Sequence, residues 1–195
     1  MFTQTMSFLI RNLADFFVLL LLTRLYFQAA KVSFRHPLAH VVLSLTNWMV
    51  LPLRRVIPAA GRFDTTSFIL AWFFAFLMHL LLLTLSPWPF ILASPLSLAA
   101  LMIAALLELV KMSLYLLFAA VIGQALMSWI APYNPLMSVL NVLTAPFLRP
   151  LRRFIPPVGG VDITPLVLIL LIQLLLNVFL SQLEPLVLQR VLIAA

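Results

Sequence analysis

The sequence predicts an all-α membrane protein of four transmembrane helices, arranged as two tandem parallel repeats, each with an interfacial amphipathic helix and a basic loop. Three observations predict it: a composition too apolar for a water-facing exterior, four apolar stretches of crossing length, and one proline-bounded basic motif written twice. Hydrophobic residues make up 65% of the chain and charged residues 9%, with a mean hydropathy of +1.18, well outside the range of soluble domains. Lipid is therefore the expected solvent for most of the surface. The 12 basic and 5 acidic side chains leave a net charge of +7. The basic residues stand as isolated pairs between apolar segments, so membrane orientation accounts for them and nucleic-acid binding is not expected. Without cysteine there are no disulfides, thiolate metal sites or cysteine nucleophiles. Asp15 interrupts the first apolar run and no lysine-rich segment precedes it, so the first helix is expected to remain rather than to be removed as a signal peptide.

The first span is expected at 8–30 and the second at 67–85, each close to the ~20 residues that cross a hydrocarbon core about 30 Å thick. The third, 96–130, is longer than one crossing requires, which implies a tilted helix or a start delayed towards Ala105. The fourth is expected at 164–183. Between the first two spans, Pro37 opens "PLAHVVLSLTNWMV", where His40, Ser44 and Asn47 recur at i, i+4 and i+7. That is one face of a helix too short to cross, suited to the interface. Its counterpart from Pro135, "PLMSVLNVLTAPFL", places Ser138, Asn141 and Ala145 similarly.

The segments "PLRRVIPAAGRFD" (Pro52 to Asp64) and "PLRRFIPPVGGVD" (Pro150 to Asp162) agree at 8 of 13 positions. The offset of 98 residues that relates them also relates Pro37 to Pro135, Thr46 to Thr144 and Gly61 to Gly159, with no gap. Two copies of one unit follow, at 1–86 and 99–195, joined by a proline-rich non-cytoplasmic connection at 87–98. A unit with two crossings returns to its starting side, so both copies share an orientation and both basic loops share a face. Residues 31–64 hold Lys31, Arg35, Arg54, Arg55 and Arg62, residues 131–163 hold Arg149, Arg152 and Arg153, and the connection holds no basic residue. The positive-inside rule places the basic loops in the cytoplasm and the termini outside.

An asparagine–proline or histidine–proline pair before an interfacial run, followed by the duplicated P-L-R-R-x-I-P-x-x-G-x-x-D, resembles the YggT family of bacterial inner-membrane proteins. The resemblance covers most of the chain. Two-copy chains resemble the proteobacterial members, and single-copy relatives resemble the YlmG proteins of Gram-positive bacteria, cyanobacteria and plastids. It implies a multi-pass protein of the bacterial inner membrane with a non-enzymatic role in osmotic-stress or envelope tolerance, cell division or assembly of membrane complexes. One departure is that His36 precedes Pro37 where the second copy has Asn134.

Four arginines are the candidate binding residues: Arg54, Arg55, Arg152 and Arg153. On one reading they fix topology and meet anionic lipid headgroups. On the other they form a docking surface for a membrane-protein partner, presented by loops that Pro52, Pro58, Gly61, Asp64, Pro150, Pro156, Gly159 and Asp162 shape. Within each loop a carboxylate is expected to turn back onto a guanidinium, pairing Arg55 with Asp64 and Arg153 with Asp162 and leaving Arg54 and Arg152 free. The same aspartates, two residues before Thr66 and Thr164, mark helix starts. An intramembrane aspartyl dyad is set aside, because it requires two carboxyls facing each other inside helices.

Within the spans, Arg11 with Asp15 and Glu108 with Lys111 are opposite charges at helical spacing. Arg24, His79, Gln124, Gln173 and Asn177, with Gln28, are intramembrane polar candidates. They serve either as interhelical hydrogen-bonding groups, in the monomer or at a homo-oligomer contact, or as the polar lane of a small oligomeric ion channel or transporter. No metal-ligand spacing, catalytic triad or phosphate-binding glycine loop is present, so no metal, cofactor or enzymatic activity is expected.

Overall fold

The structure, a computed structural model, describes residues 1–32, 36–57, 63–85, 95–156 and 162–193, with side chains described up to 189. The described residues fold into seven helices and one π segment: α1 (Phe2–Ala29), α2 (Pro37–Arg54), α3 (Thr65–Thr84), α4 (Pro95–Ile130), α5 (Pro135–Phe154), α6 (Thr164–Leu174), a π segment (Leu175–Leu180) and α7 (Ser181–Ile193). Four runs are long and apolar enough to cross a membrane: α1, α3, α4 and the continuous stretch Thr164–Gln189. Together they fit a membrane protein.

The core is built where small side chains let helices approach. Ala71 and Ala75 on α3 face Ala105, Leu109 and Met112 of α4 and Val18, Leu21 and Leu22 of α1. Large apolar residues are displaced outward: Phe8, Phe16, Phe73, Ile103, Leu170 and Phe179 are all exposed, an arrangement suited to a lipid solvent and costly in water. Arg24 near the end of α1 meets Asp64 at the start of α3, and Phe17 stacks on Phe74 at 5.2 Å, so these two helices run antiparallel. In the second half Val121 of α4 packs beside Leu168 and Ile172 of α6 and Leu148 of α5.

The helix starts explain the two different residues before proline. Proline at the first helical position costs no hydrogen bond there, and the residue before it is held in extended backbone. His36 accepts from the Leu38 amide through Nδ1 at 3.3 Å, and Asn134 accepts from the Leu136 amide through Oδ1 at 2.9 Å. Histidine and asparagine thus supply the same acceptor at the same place. The end of α1 is a Schellman turn: Val32 donates to the Phe27 carbonyl and Lys31 to that of Gln28, with Lys31 in the left-handed region at φ 55°.

Several expected boundaries differ. The third span is one continuous helix of 36 residues, Pro95–Ile130, about 54 Å long. It has no delayed start, and its first turn takes in the last residues of the expected connection; residues 86–94 lie outside the described residues. Pro52 and Pro150 were expected to bound loops, but both stand inside helices, α2 ending at Arg54 and α5 at Phe154. Arg54, Arg152 and Arg153 therefore sit in last helical turns, and Arg55 is the C-cap of α2, where cations favour the helix dipole. Pro58, Gly61 and Gly159, with Arg35 and Arg62, lie outside the described residues.

Replacing Asn134 with alanine is expected to cost about 0.5–2 kcal/mol by loss of the cap, while Asn134→His should stay near the wild type. Thermal unfolding of the two variants in detergent measures the difference.

Candidate functional site

A buried polar cluster ties α1, α2 and α3 together at the end of the bundle that carries the arginine pairs. Arg24 comes from within the first span and is 4% exposed. Its Nη1 donates to Thr46 Oγ1 and to Asn47 Oδ1, each at 2.8 Å, and its Nε lies 3.4 Å from Asp64 Oδ2. Thr46 passes its own proton to the Val42 carbonyl, which leaves its oxygen free to accept. Asp64 is fully buried and takes a second guanidinium, with Arg54 Nη2 at 2.8 Å from the same Oδ2. Arg54 also donates to Gln28 Oε1 at 3.3 Å. Asp64 caps α3 by accepting from the Ser67 hydroxyl at 2.8 Å and the Ser67 amide at 3.4 Å. Two cations and one anion share this pocket, and the side-chain oxygens of Gln28, Thr46 and Asn47 accept the remaining guanidinium hydrogen bonds described.

The clasp expected between each arginine pair and its aspartate exists, but through the other arginine. Thr46, Val50 and Arg54 recur every four residues on α2, so all three point at α1 and α3, and Arg55 falls about 100° round the helix. In α5 the same phase aligns Thr144, Leu148 and Arg152, and Arg152 Nε lies 2.9 Å from Asp162 Oδ2. Extending the helices past Pro52 and Pro150 thus reverses the expected assignment. Arg54 and Arg152 are tied, while Arg55 and Arg153 are exposed with no ion-pair partner among the described residues.

The two clasps are unequal. In the first copy Thr46 meets a guanidinium; at the equivalent position Thr144 donates to Gln124 Oε1 at 2.6 Å, and Gln124 Nε2 donates to Asn141 Oδ1 at 2.7 Å. The residue 98 positions after Arg24 is Ile122, so the second half has no intramembrane cation here. Asp162 is 40% exposed and receives the Thr164 amide at 2.9 Å and its hydroxyl at 2.5 Å. Burial pushes the Asp64 carboxyl up, but hydrogen bonds from Arg54 and Ser67 outweigh it and hold it below its ordinary value of 3.8. Slight burial pushes Asp162 up, and hydrogen bonds from Thr164 and then Arg152 likewise bring it below the ordinary range.

The intramembrane polar candidates do not form one lane. Arg24 belongs to the first clasp and Gln124 to its counterpart, while Gln173 and Asn177 are exposed on the outer face of the fourth span. Asn177 lies in the π segment, where its carbonyl accepts from the Ser181 hydroxyl. His79, 2% exposed, belongs to a separate cluster at the far end of the bundle. There Lys111 Nζ lies 2.6 Å from Glu108 Oε2 and 3.1 Å from Glu184 Oε2. Sequence spacing showed Glu108 with Lys111 but not Glu184, which stands 76 positions beyond Glu108. Thr46, Asn47, Gln28 and Ser67 were also missed as clasp members. Gln28 and Asn47 stand out in the sequence only as polar residues with no partner indicated, and Thr46 only by its register with Thr144.

The sequence profile of the CCB3/YggT family matches residues 3–85 and 103–183. The chain belongs to this family. It is 33% identical over 173 residues, 88% of this chain and 87% of the relative, to "Uncharacterized protein YggT" of Escherichia coli. Identity is 32% over 171 residues to "Uncharacterized protein in proC 3'region" of Vibrio alginolyticus, covering 87% of this chain and 90% of that one. It is 27% over 183 residues to an uncharacterized protein of Haemophilus influenzae, covering 93% of each. No solved structure matches. Both stretches that match the CCB3/YggT profile contain a complete clasp, from Arg24 to Asp64 and from Gln124 to Asp162.

Replacing Asp64 with asparagine leaves Arg24 buried beside a neutral group and is expected to destabilise by about 3–5 kcal/mol. The same change at half-exposed Asp162 should cost about 0–1 kcal/mol. Paired chemical or thermal unfolding in one detergent gives both values.

Because both aspartates titrate below 3.8 when folded, their stabilisation is fully present above that value and is lost as the pH falls through the folded values. Melting temperature is therefore expected to show no loss from these groups between pH 7 and 5 and to drop below about pH 4. Melting curves across that range check it.

Proposed function

We propose that this protein is a non-enzymatic inner-membrane factor that acts through a fixed display of arginines on its cytoplasmic face. The observation that carries the reading is the division of labour within each arginine pair. Arg54 and Arg152 are tied down by aspartates, and Arg55 and Arg153 stand exposed beside them at the ends of α2 and α5. A guanidinium held on a clamped helix end loses less freedom on meeting a phosphate or carboxylate than one on a mobile loop. The partners best suited to such a face are anionic lipid headgroups and an acidic segment of a membrane-protein partner.

The chain is read here as two tandem repeats of one orientation, each with an interfacial helix, α2 or α5. Two separate stretches matching the family profile support this, as do helix starts at Pro37 and Pro135, 98 residues apart. Sidedness follows from the basic residues flanking α2 and α5 and their absence from 86–94. Roles in osmotic-stress tolerance, cell division or assembly of membrane complexes belong to this reading.

Two experiments test it. Single cysteines replacing Arg62 and Gly160 are expected to be shielded from an impermeant thiol reagent added outside cells, and one replacing Ser94 to react; the inverse pattern defeats the orientation. The double variant Arg55→Gln, Arg153→Gln is expected to insert at normal yield yet fail to restore a deletion strain under osmotic or division stress. Full rescue by that variant defeats the proposed docking role.

A further inference from the structure

The end of the bundle away from the arginine pairs brings together three side chains that no sequence motif connects. His79 of α3, Glu108 of α4 and Glu184 of α7 each offer one ligand atom, and these atoms all lie within 4.8 Å of one another. His79 and Glu108 are buried, and Glu184 is 19% exposed. Lys111 engages Oε2 of both glutamates. His79 Nε2 and Glu108 Oε1 are left buried with no hydrogen-bond partner.

Each unpartnered atom in such a place is costly, and both belong to residues of this one cluster. Two carboxylates face one ammonium inside an apolar bundle, so the group carries one uncompensated negative charge. Asp15 of α1 also faces this group: its charge interacts with Lys111 first, then with Arg11, and is repelled by Glu184, and its Oδ1 is likewise buried with no hydrogen-bond partner. A cation that accepts both nitrogen and oxygen donors would satisfy the histidine, the free carboxylate oxygen and the excess charge at once. Magnesium and calcium favour all-oxygen shells, whereas one imidazole with two carboxylates suits zinc and its neighbours.

We propose that His79, Glu108 and Glu184 bind a divalent transition-metal ion of the zinc class. Bonds of about 2.1 Å in a tetrahedral shell place ligand atoms about 3.4 Å apart, so donors now within 4.8 Å close by small side-chain movements. Lys111, already on one oxygen of each glutamate, would orient both carboxylates, as groups around a metal's ligands commonly do. The partly exposed Glu184 and Lys111 give the ion its approach. Bound there, the metal joins α3 of the first half to α4 and α7 of the second.

The test uses the full chain, purified in detergent with a tag free of histidine and stripped with a chelator. Zinc titrated against a competing chromophoric chelator is expected to bind at about one ion per chain, and His79→Leu to weaken it more than about tenfold by removing one of three ligands. Gln173→Leu, on the lipid-facing side of the fourth span, should bind like the wild type. Cobalt(II) added to the wild-type chain is expected to give visible absorption bands that zinc abolishes, a readout that does not depend on any variant folding. A wild-type chain that binds no more zinc than His79→Leu, or that gives no zinc-displaceable cobalt band, overturns the site and leaves the cluster a structural ion pair.

Discussion

A guanidinium inside a membrane span needs a partner that lipid cannot supply, and Arg24 finds its partner in Asp64, the residue that caps the next span. That pairing fixes more than a charge. Because Asp64 also receives Arg54, the last residue of α2, one carboxylate sets the relation of three successive helices. Thr46 and Asn47 complete the shell from the middle of α2. A short helix such as α2 has little reason to hold one angle against a bundle through apolar contact alone, since lipid is as apolar as its neighbours. Directional hydrogen bonds in a low dielectric supply the angle.

In the second half the polar ties around the arginine pair are weaker. A neutral Gln124–Thr144–Asn141 network replaces the cation, and the Arg152–Asp162 pair is open to water, where such pairs contribute little. The two arginine–aspartate pairs are therefore alike in sequence register and unlike in burial. The first is built around a buried charge that must stay compensated. The second rests on neutral groups and a water-exposed ion pair, so loss of one of its polar groups is expected to cost less.

Much of this was legible in the sequence. Apolar run length placed the second and third spans to within two residues, but the first begins six residues earlier than expected, at Phe2, and the fourth apolar run continues six residues further, to Gln189; proline with its preceding histidine or asparagine marked the starts of α2 and α5. The arginine–aspartate clasp was legible as chemistry but not as pairing. Pro52 and Pro150 read as loop punctuation, and only a helix continued through them turns Arg54 and Arg152 inward. The cluster of His79, Glu108 and Glu184 was invisible for a different reason. Its members lie 29 and 76 positions apart, and bundle topology alone brings them together. Arg24 was legible as an intramembrane polar residue, but nothing local names its partner 40 positions on.

The π segment at Leu175–Leu180 changes what the fourth span is. A π turn takes in about one residue more than an α turn, so the helix beyond it is rotated by about 100° from the face that α6 would have continued. Before the segment, Leu168 and Ile172 pack beside Val121 of α4. After it, Val187 and Leu188 pack beside Leu101 near the start of α4, and Glu184 points at Lys111. One helix thus presents two differently phased faces to a single neighbour, and the change of phase is what lets a lipid-facing span deliver a carboxylate inward. By geometry alone, one extra residue in a turn moves the following face by about 100°, enough to swing a side chain from the lipid side to the bundle interior with no change in the number of spans or the direction of the chain.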